Sequence, residues 1–101
     1  MILVACEDNF QITIKNNTSY VIEISSELLS KKINIAPNEV EKIQRYLNTG
    51  GFAITFKGEH YFKRYRFGDT DHWFGVTHNI DIQIYYEELK VNYGGYEETF
   101  Q

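Results

Sequence analysis

Along several short stretches of this chain, hydrophobic and polar residues alternate with a period of two, which is the spacing of a β-strand with one buried face. Residues 10–15, 20–25, 52–56 and 80–84 show this alternation most clearly. The hydrophobic positions within them predict the core of the domain, where truncation of one side chain to alanine costs ~2–5 kcal/mol. These core positions are Ile12, Ile14, Ile22, Ile24, Ile54, Phe56, Ile82 and Ile84.

Turn-forming residues separate the alternating stretches. Two asparagines, a threonine and a serine occupy positions 16–19, and this cluster predicts a β-hairpin that pairs residues 10–15 with residues 20–25. Residues 26–32 lack a clear period and are predicted to form a loop, and a turn is predicted at Pro37. The pattern therefore describes strands joined by short turns.

The stretch that follows Pro37 fits two kinds of secondary structure. An extended strand over residues 40–44 continues the alternation, and we favour it. A helix over residues 38–47 is the alternative, since an asparagine can cap its start and the apolar residues Val40, Ile43 and Leu47 recur every three or four positions.

Taken together, these patterns predict six to eight short strands with turn signals about every 8–12 residues. They indicate an all-β fold, a single antiparallel β-sandwich of immunoglobulin-like or similar Greek-key kind, with a small closed β-barrel as the alternative. Helices do not alternate with strands, so a parallel α/β sheet is not expected. No linker-like segment divides the chain, and residues 1–101 are predicted to form one domain.

Composition excludes several classes of protein. The chain has 101 residues, of which 43% are hydrophobic and 16% aromatic, too many for an intrinsically disordered chain. Ten Lys and Arg against fourteen Asp and Glu give a formal net charge of -4, which argues against nucleic-acid binding through bulk charge. Cys6 is the single cysteine and cannot form a disulfide within the chain. No run approaches the ~20 apolar residues of a membrane-spanning helix.

Few residues form patterns typical of a metal site or a catalytic site. Asp69, Asp71 and His72 form the group most like a metal site, because carboxylates two residues apart on a loop can share a hard cation. A polar hairpin turn explains the same residues, and we favour the turn. No serine lies in the Gly-x-Ser-x-Gly pattern of a nucleophile elbow. The sequence therefore predicts no catalytic residue, no metal site and no cofactor, and a protein that is not an enzyme.

The stretch over residues 60–67 interleaves basic and aromatic residues, as do surfaces that stack bases or sugars. Alternation puts Phe62, Arg64 and Arg66 on one face, where two guanidinium groups could fork onto a phosphate or carboxylate. The alternative is an ordinary strand whose aromatics pack inward and whose cations pair with carboxylates of a neighbouring strand. The predicted ligand-binding residues are Phe62, Arg64, Arg66 and Trp73.

The amino terminus carries a short motif of a different kind. Residues 3–6 (Leu, Val, Ala, Cys) resemble the lipobox of bacterial lipoproteins, in which the signal peptide is removed before a cysteine that carries the lipid. The acidic residues directly after Cys6 resemble the surface-export signal of lipoproteins in the Bacteroides group. The resemblance implies lipid attachment at Cys6, with residues 1–9 as a tether. The alternative is a strand over residues 2–6 in which Cys6 is a small buried hydrophobic residue.

Two functions fit these observations. The first is a non-enzymatic binding or accessory module, lipid-anchored at the bacterial cell envelope, that contacts a glycan or protein through exposed aromatic and basic residues. The second is a cytoplasmic protein-binding module such as an immunity protein or a phage-encoded inhibitor, because a small acidic protein can meet a basic target. We expect a protein or glycan partner, no nucleic acid, and membrane contact only through a lipid on Cys6.

Overall fold

The computed structural model describes residues 8–47, 51–67, 77–93 and 96–100, which form nine β-strands. No helix occurs among these residues, so none of them belongs to a helix that could span a membrane. In chain order the strands are β1 (Asp8–Asn16), β2 (Ile22–Ser26), β3 (Ile33–Ile35), β4 (Val40–Leu47), β5 (Phe52–Gly58), β6 (Tyr61–Phe67), β7 (Thr77–Ile84), β8 (Leu89–Tyr93) and β9 (Tyr96–Phe100).

The strands form two sheets that pack as a β-sandwich. One sheet has the order β4-β1-β7-β8-β9, and the other has the order β3-β2-β5-β6. A single hydrophobic cluster contains residues of both sheets, and Phe10 of the first meets Phe52 of the second with ring centroids 5.3 Å apart. The predicted all-β sandwich is therefore confirmed, and the strands do not close into a barrel.

The topology differs from the expected pattern in three respects. The described residues form nine strands, whereas six to eight were expected. β1 and β7 run parallel, whereas the other six pairings among the described residues are antiparallel. The strand order also differs from the ABED and CFG sheets of an immunoglobulin constant domain, so the likeness to that fold is one of architecture.

The core lies between the two sheets and contains the residues that the alternation indicates. Each of the eight predicted core side chains is exposed by 1% or less. Along β1, for example, every second residue from Asp8 to Asn16 is buried, because successive side chains of a strand point to opposite faces of the sheet. The core prediction is therefore confirmed.

The predicted hairpin between residues 10–15 and 20–25 is wrong. β1 and β2 belong to different sheets, and β1 pairs with β4 and β7. Asn16 organises the turn between them, since its side-chain amide donates to the carbonyl oxygens of Tyr20 at 2.6 Å and Ile35 at 2.9 Å. These bonds direct the chain into the second sheet. Alternation does not reveal this, because it shows which face of a strand is buried but not which strand it pairs with.

The strand interpretation of the stretch after Pro37 is confirmed, since residues 40–47 form β4 at the edge of its sheet. The N–H of Glu39 donates to the carbonyl oxygen of Ala36 at 3.1 Å, which closes a turn with Pro37 at its second position and Asn38 at its third. Asn38 has a φ of 65°, the left-handed conformation that asparagine tolerates. It therefore serves a turn and does not cap a helix.

The segment predicted as a tether overlaps the first strand. Asp8 is buried, and Asn9 lies opposite Tyr46 of β4 and Thr77 of β7. Residues 8 and 9 are therefore part of the domain, which corrects the carboxyl-terminal limit of the tether. The remaining residues 1–7, including Cys6, lie outside the described residues.

Candidate ligand-binding surface

β6 carries the basic and aromatic residues singled out by the sequence, and it lies at the edge of its sheet. Tyr61 and Phe67 are buried at its two ends, whereas Phe62, Arg64 and Arg66 are exposed on the opposite face. Phe62 has 68% of its surface exposed, a large share for a hydrophobic ring. The structure therefore brings three of the four predicted ligand-binding residues to one surface, which we call the β6 face.

Aromatic contacts on the buried side hold β6 in place. Phe67 stacks on Phe52 with ring centroids 4.6 Å apart, and Tyr65 meets Phe67 edge-on at 4.6 Å. The ammonium nitrogen of Lys63 lies 5.6 Å from the centre of the Tyr61 ring. The strand is thus anchored from its inner side, independently of the side chains on the β6 face.

The β6 face is positively charged. Lys57 lies opposite Phe62 on β5, so a third cation shares the β6 face, and Glu23 lies on the other side of Lys57, on β2. Within the described ranges, neither Arg64 nor Arg66 forms an ion pair, so these cations do not pair with carboxylates of a neighbouring described strand. A carboxylate, sulfate or phosphate from a partner would therefore meet two guanidinium groups with unused donors.

A shallow depression of about 300 Å³ adjoins the β6 face. Three of its lining residues carry hydroxyls, and Glu27 contributes a carboxylate. The Ser26 hydroxyl donates to the carbonyl oxygen of Ala53 at 2.7 Å. Such a surface supplies hydrogen-bonding groups next to the guanidinium charge. The depression is lined by Arg64, Ser25, Ser26, Glu27, Ala53 and Thr55.

The hydroxyl of Tyr61, next to Phe62 in the chain, is buried and has no hydrogen-bond partner among the described residues. We expect Tyr61→Phe to leave stability unchanged or to raise the free energy of unfolding by up to ~1 kcal/mol, because the substitution removes an unsatisfied buried polar group. Urea denaturation at pH 7 measures this change.

Burial also raises the pKa of the Tyr61 phenol above its ordinary value. The unfolded chain therefore ionises first, so wild-type stability should fall above about pH 10, and less steeply in the variant.

Tyr86→Phe is the matched control for that substitution. The Tyr86 hydroxyl accepts a hydrogen bond from the Ser19 N–H at 2.6 Å and donates one to the Ser19 hydroxyl at 2.5 Å. Its removal should lower the free energy of unfolding by about 0.5–1 kcal/mol. A larger loss for Tyr61→Phe than for Tyr86→Phe would show that the buried hydroxyl has a partner.

Several predicted residues lie outside the described residues. Trp73 and the metal-like group of Asp69, Asp71 and His72 fall within residues 68–76. The place of Trp73 relative to the β6 face therefore stays a prediction. The same holds for lipid attachment at the cysteine near the amino terminus.

A buried hydrogen-bonded group, not predicted from the sequence, lies near the end of the sandwich where β1 and β7 begin. The imidazole of His78 has its Nε2 2.8 Å from Asp8 Oδ2 and its Nδ1 2.5 Å from the Tyr93 hydroxyl. Phe10 stacks on this imidazole with ring centroids 4.6 Å apart. Burial and, secondarily, the charge of Asp8 raise the pKa of Tyr93. The neutral phenol can thus donate to Nδ1 while Nε2–H donates to the carboxylate.

A sequence signal for this group exists, although it is incomplete. His78 occupies the same inward parity as Ile80, and Asp8 occupies the same inward parity as Phe10. Both polar residues are therefore placed in the core by alternation alone. Their contact depends on the parallel pairing of β1 with β7, which is a long-range feature. The group links β1, β7 and β8, and we assign it a structural role.

The described residues contain no group of three or more His, Cys, Asp or Glu side chains that could hold a metal ion. Comparison of the chain with protein-family models found no match, and comparison with curated proteins found none either. The interpretation of the β6 face therefore depends on its geometry and charge.

Proposed function

We propose that this protein is a non-enzymatic binding module and that the β6 face holds an anionic group of a protein or glycan partner. The observation that supports this proposal is the exposure of Phe62, Arg64 and Arg66 side by side, with no ion pair to either arginine among the described residues. Large exposed rings and arginines are the residue types enriched at contact surfaces.

Each of the three side chains has a distinct part in this binding. The two guanidinium groups would donate hydrogen bonds to the oxygens of a carboxylate, sulfate or phosphate, and the phenyl ring would cover the apolar part of the same ligand. The net charge of -4 repels anions at long range. Recognition must therefore come from contacts at short range, and it should weaken as salt concentration rises.

We expect the double substitution Arg64→Ala and Arg66→Ala to weaken binding to anionic ligands by about tenfold or more. It should change the free energy of unfolding by less than about 1 kcal/mol, as is usual for exposed positions. The probes are a panel of acidic peptides and sulfated oligosaccharides, and affinity is measured by titration calorimetry. Unfolding in urea gives the stability of each variant.

The matched control removes two exposed cations elsewhere, through Lys31→Ala and Lys42→Ala. Net charge changes equally in both variants, so a loss confined to the arginine variant assigns binding to the β6 face. Two results would refute the proposal and direct attention to Trp73. One is equal affinity for the ligand in both variants. The other is loss of folding in the arginine variant with binding retained by its folded fraction.

Lipid anchoring at Cys6 and a place at the bacterial cell envelope are likewise proposals, and a cytoplasmic protein-binding module is the alternative. Cys6 lies two positions before Asp8, the first described residue of β1. A lipid on this cysteine would therefore hold the sandwich directly against the membrane surface. The β6 face serves either location, since both functions require contact with a partner.

A further inference from the structure

The direction in which the backbone N–H and C=O groups of β6 point can be derived from the neighbouring strand β5. The N–H of Ala53 donates to Glu27 Oε1 at 3.3 Å, and its carbonyl oxygen accepts from the Ser26 hydroxyl at 2.7 Å. Both groups of Ala53 therefore point towards β2 and away from β6. Because Ala53 lies opposite Arg66, these two residues form a pair without backbone hydrogen bonds. The N–H and C=O of Arg66 must then point to the outer edge of the sheet.

Pairs with and without hydrogen bonds alternate along an antiparallel ladder. The backbone N–H and C=O groups of Arg64 and Phe62 therefore point to the same outer edge as those of Arg66. The turn between β5 and β6 agrees with this, since Gly58 and Tyr61 close a two-residue connection and form a hydrogen-bonded pair in such turns. Within the described residues, β6 pairs with β5 alone. The residues that form the β6 face thus also direct their backbone donors and acceptors to a sheet edge on which no other described strand lies.

We infer that β6 binds an acidic, extended peptide segment of a partner protein, which adds to the sheet as a further strand in the antiparallel orientation, the more stable pairing per residue. The inference rests on the proposed function and specifies its partner. Residues of an added strand opposite Arg64 and Arg66 would lie two positions apart and on the same face as the guanidinium groups. A segment with carboxylates at two alternate positions therefore matches this edge in both charge and hydrogen bonding. In this antiparallel orientation, the residue of the segment two positions beyond the one opposite Arg64 would lie against Phe62, and an apolar side chain suits that position.

This edge favours a peptide over a sulfated glycan. The three outward residues offer three N–H and three C=O groups at the repeat of a β-strand, which another strand satisfies in full. A glycan would use the guanidinium groups but has no matching series of donors and acceptors. Cations on an edge strand also repel a second copy of the same strand. The edge is thus selective for a strand of opposite charge.

The test uses the full chain and capped synthetic peptides of about seven residues, with glutamates at two alternate positions among β-branched residues. Binding is measured by calorimetry, and backbone amides are followed by hydrogen exchange in NMR spectra. The amides of Phe62, Arg64 and Arg66 should become protected when the peptide binds. The amides of Lys63 and Tyr65 should change little, because they already bond to β5. The substitution of Arg64 and Arg66 by alanine should weaken binding about tenfold.

Two matched peptides separate strand addition from simple charge attraction. N-methylation of the two glutamates keeps their carboxylates but removes the N–H groups that face β6, and it should abolish binding. N-methylation of the intervening residues affects the far edge of the peptide and should leave affinity unchanged. A peptide with the same composition and adjacent glutamates should bind more weakly.

Each contrary result has a definite meaning. Strand addition is refuted, while the proposed function stands, if binding depends on the arginines but is unaffected by N-methylation of the peptide. The same holds if only sulfated oligosaccharides bind through the arginines. If no acidic peptide binds and the arginine variant self-associates, the arginines only protect the edge and the inference is refuted. If arginine removal leaves all binding unchanged, both the inference and the proposed function are refuted.

Discussion

Asn16→Asp is expected to lower the free energy of unfolding by ~3–5 kcal/mol, a large part of the total for a domain of this size. Asn16 is fully buried. Its amide nitrogen donates to two carbonyl oxygens, and its Oδ1 accepts from the N–H of Thr18 at 2.9 Å and from the Thr18 hydroxyl at 2.6 Å. A carboxylate keeps the accepting half of this arrangement but places a buried negative charge against the two carbonyl oxygens. Urea denaturation at pH 7 measures the loss.

The adjacent Asn17 provides the control. Its side chain is half-buried and donates one hydrogen bond, to Gln83 at 2.9 Å. Asn17→Asp should therefore cost less than about 1 kcal/mol. The deficit of Asn16→Asp should also shrink at acidic pH, since a protonated carboxyl regains one donor. Equal small losses at the two positions would contradict the view that Asn16 directs the chain between the sheets.

Phe56→Ala is expected to cost ~3–5 kcal/mol, because it opens a cavity in the centre of the sandwich. Phe56 lies on β5, which pairs with β2 on one side and β6 on the other, and the ring has no exposed surface. Neighbouring side chains cannot collapse into the space without moving a strand that is paired on both edges. Thermal and urea denaturation both report the loss.

Phe62→Ala is the natural comparison, since the same ring is removed from the adjacent strand. Phe62 is 68% exposed, so its truncation should change the free energy of unfolding by about 0.5 kcal/mol or less. It should nevertheless weaken ligand binding if the β6 face has the proposed function. A stability loss at Phe62 approaching that at Phe56 would show that the ring is covered in solution.

The candidate surface could be predicted from sequence to a considerable extent, because it depends on a single strand. The period of two assigned Phe62, Arg64 and Arg66 to one face and Tyr61 and Phe67 to the other, and exposure in the structure agrees. Exposure itself could not be predicted, since both faces of β6 carry aromatic residues and alternation does not say which face meets the core. The position of β6 at a sheet edge also required the fold.

The link between Asp8 and His78 illustrates the opposite case. Each residue lies at an inward position of its own strand, but 69 residues separate them in the chain. Only the parallel pairing of β1 with β7 brings their side chains within 2.8 Å. No local pattern encodes such a pairing, because it depends on which strands lie side by side after the chain has crossed between the sheets.

By itself, the sequence determined the all-β class, the eight central core side chains and the two faces of β6. These features follow from the alternation of side chains along a strand, which is a local property of the extended backbone. Tertiary structure alone decided that β1 and β2 enter different sheets, that β1 pairs with β7, and that the outer edge of β6 meets no other strand in the described part of the chain. The physical reason is that strand pairing satisfies backbone groups, which are the same in every residue except proline, so the choice of partner depends on long-range packing and on turns such as the one that Asn16 organises.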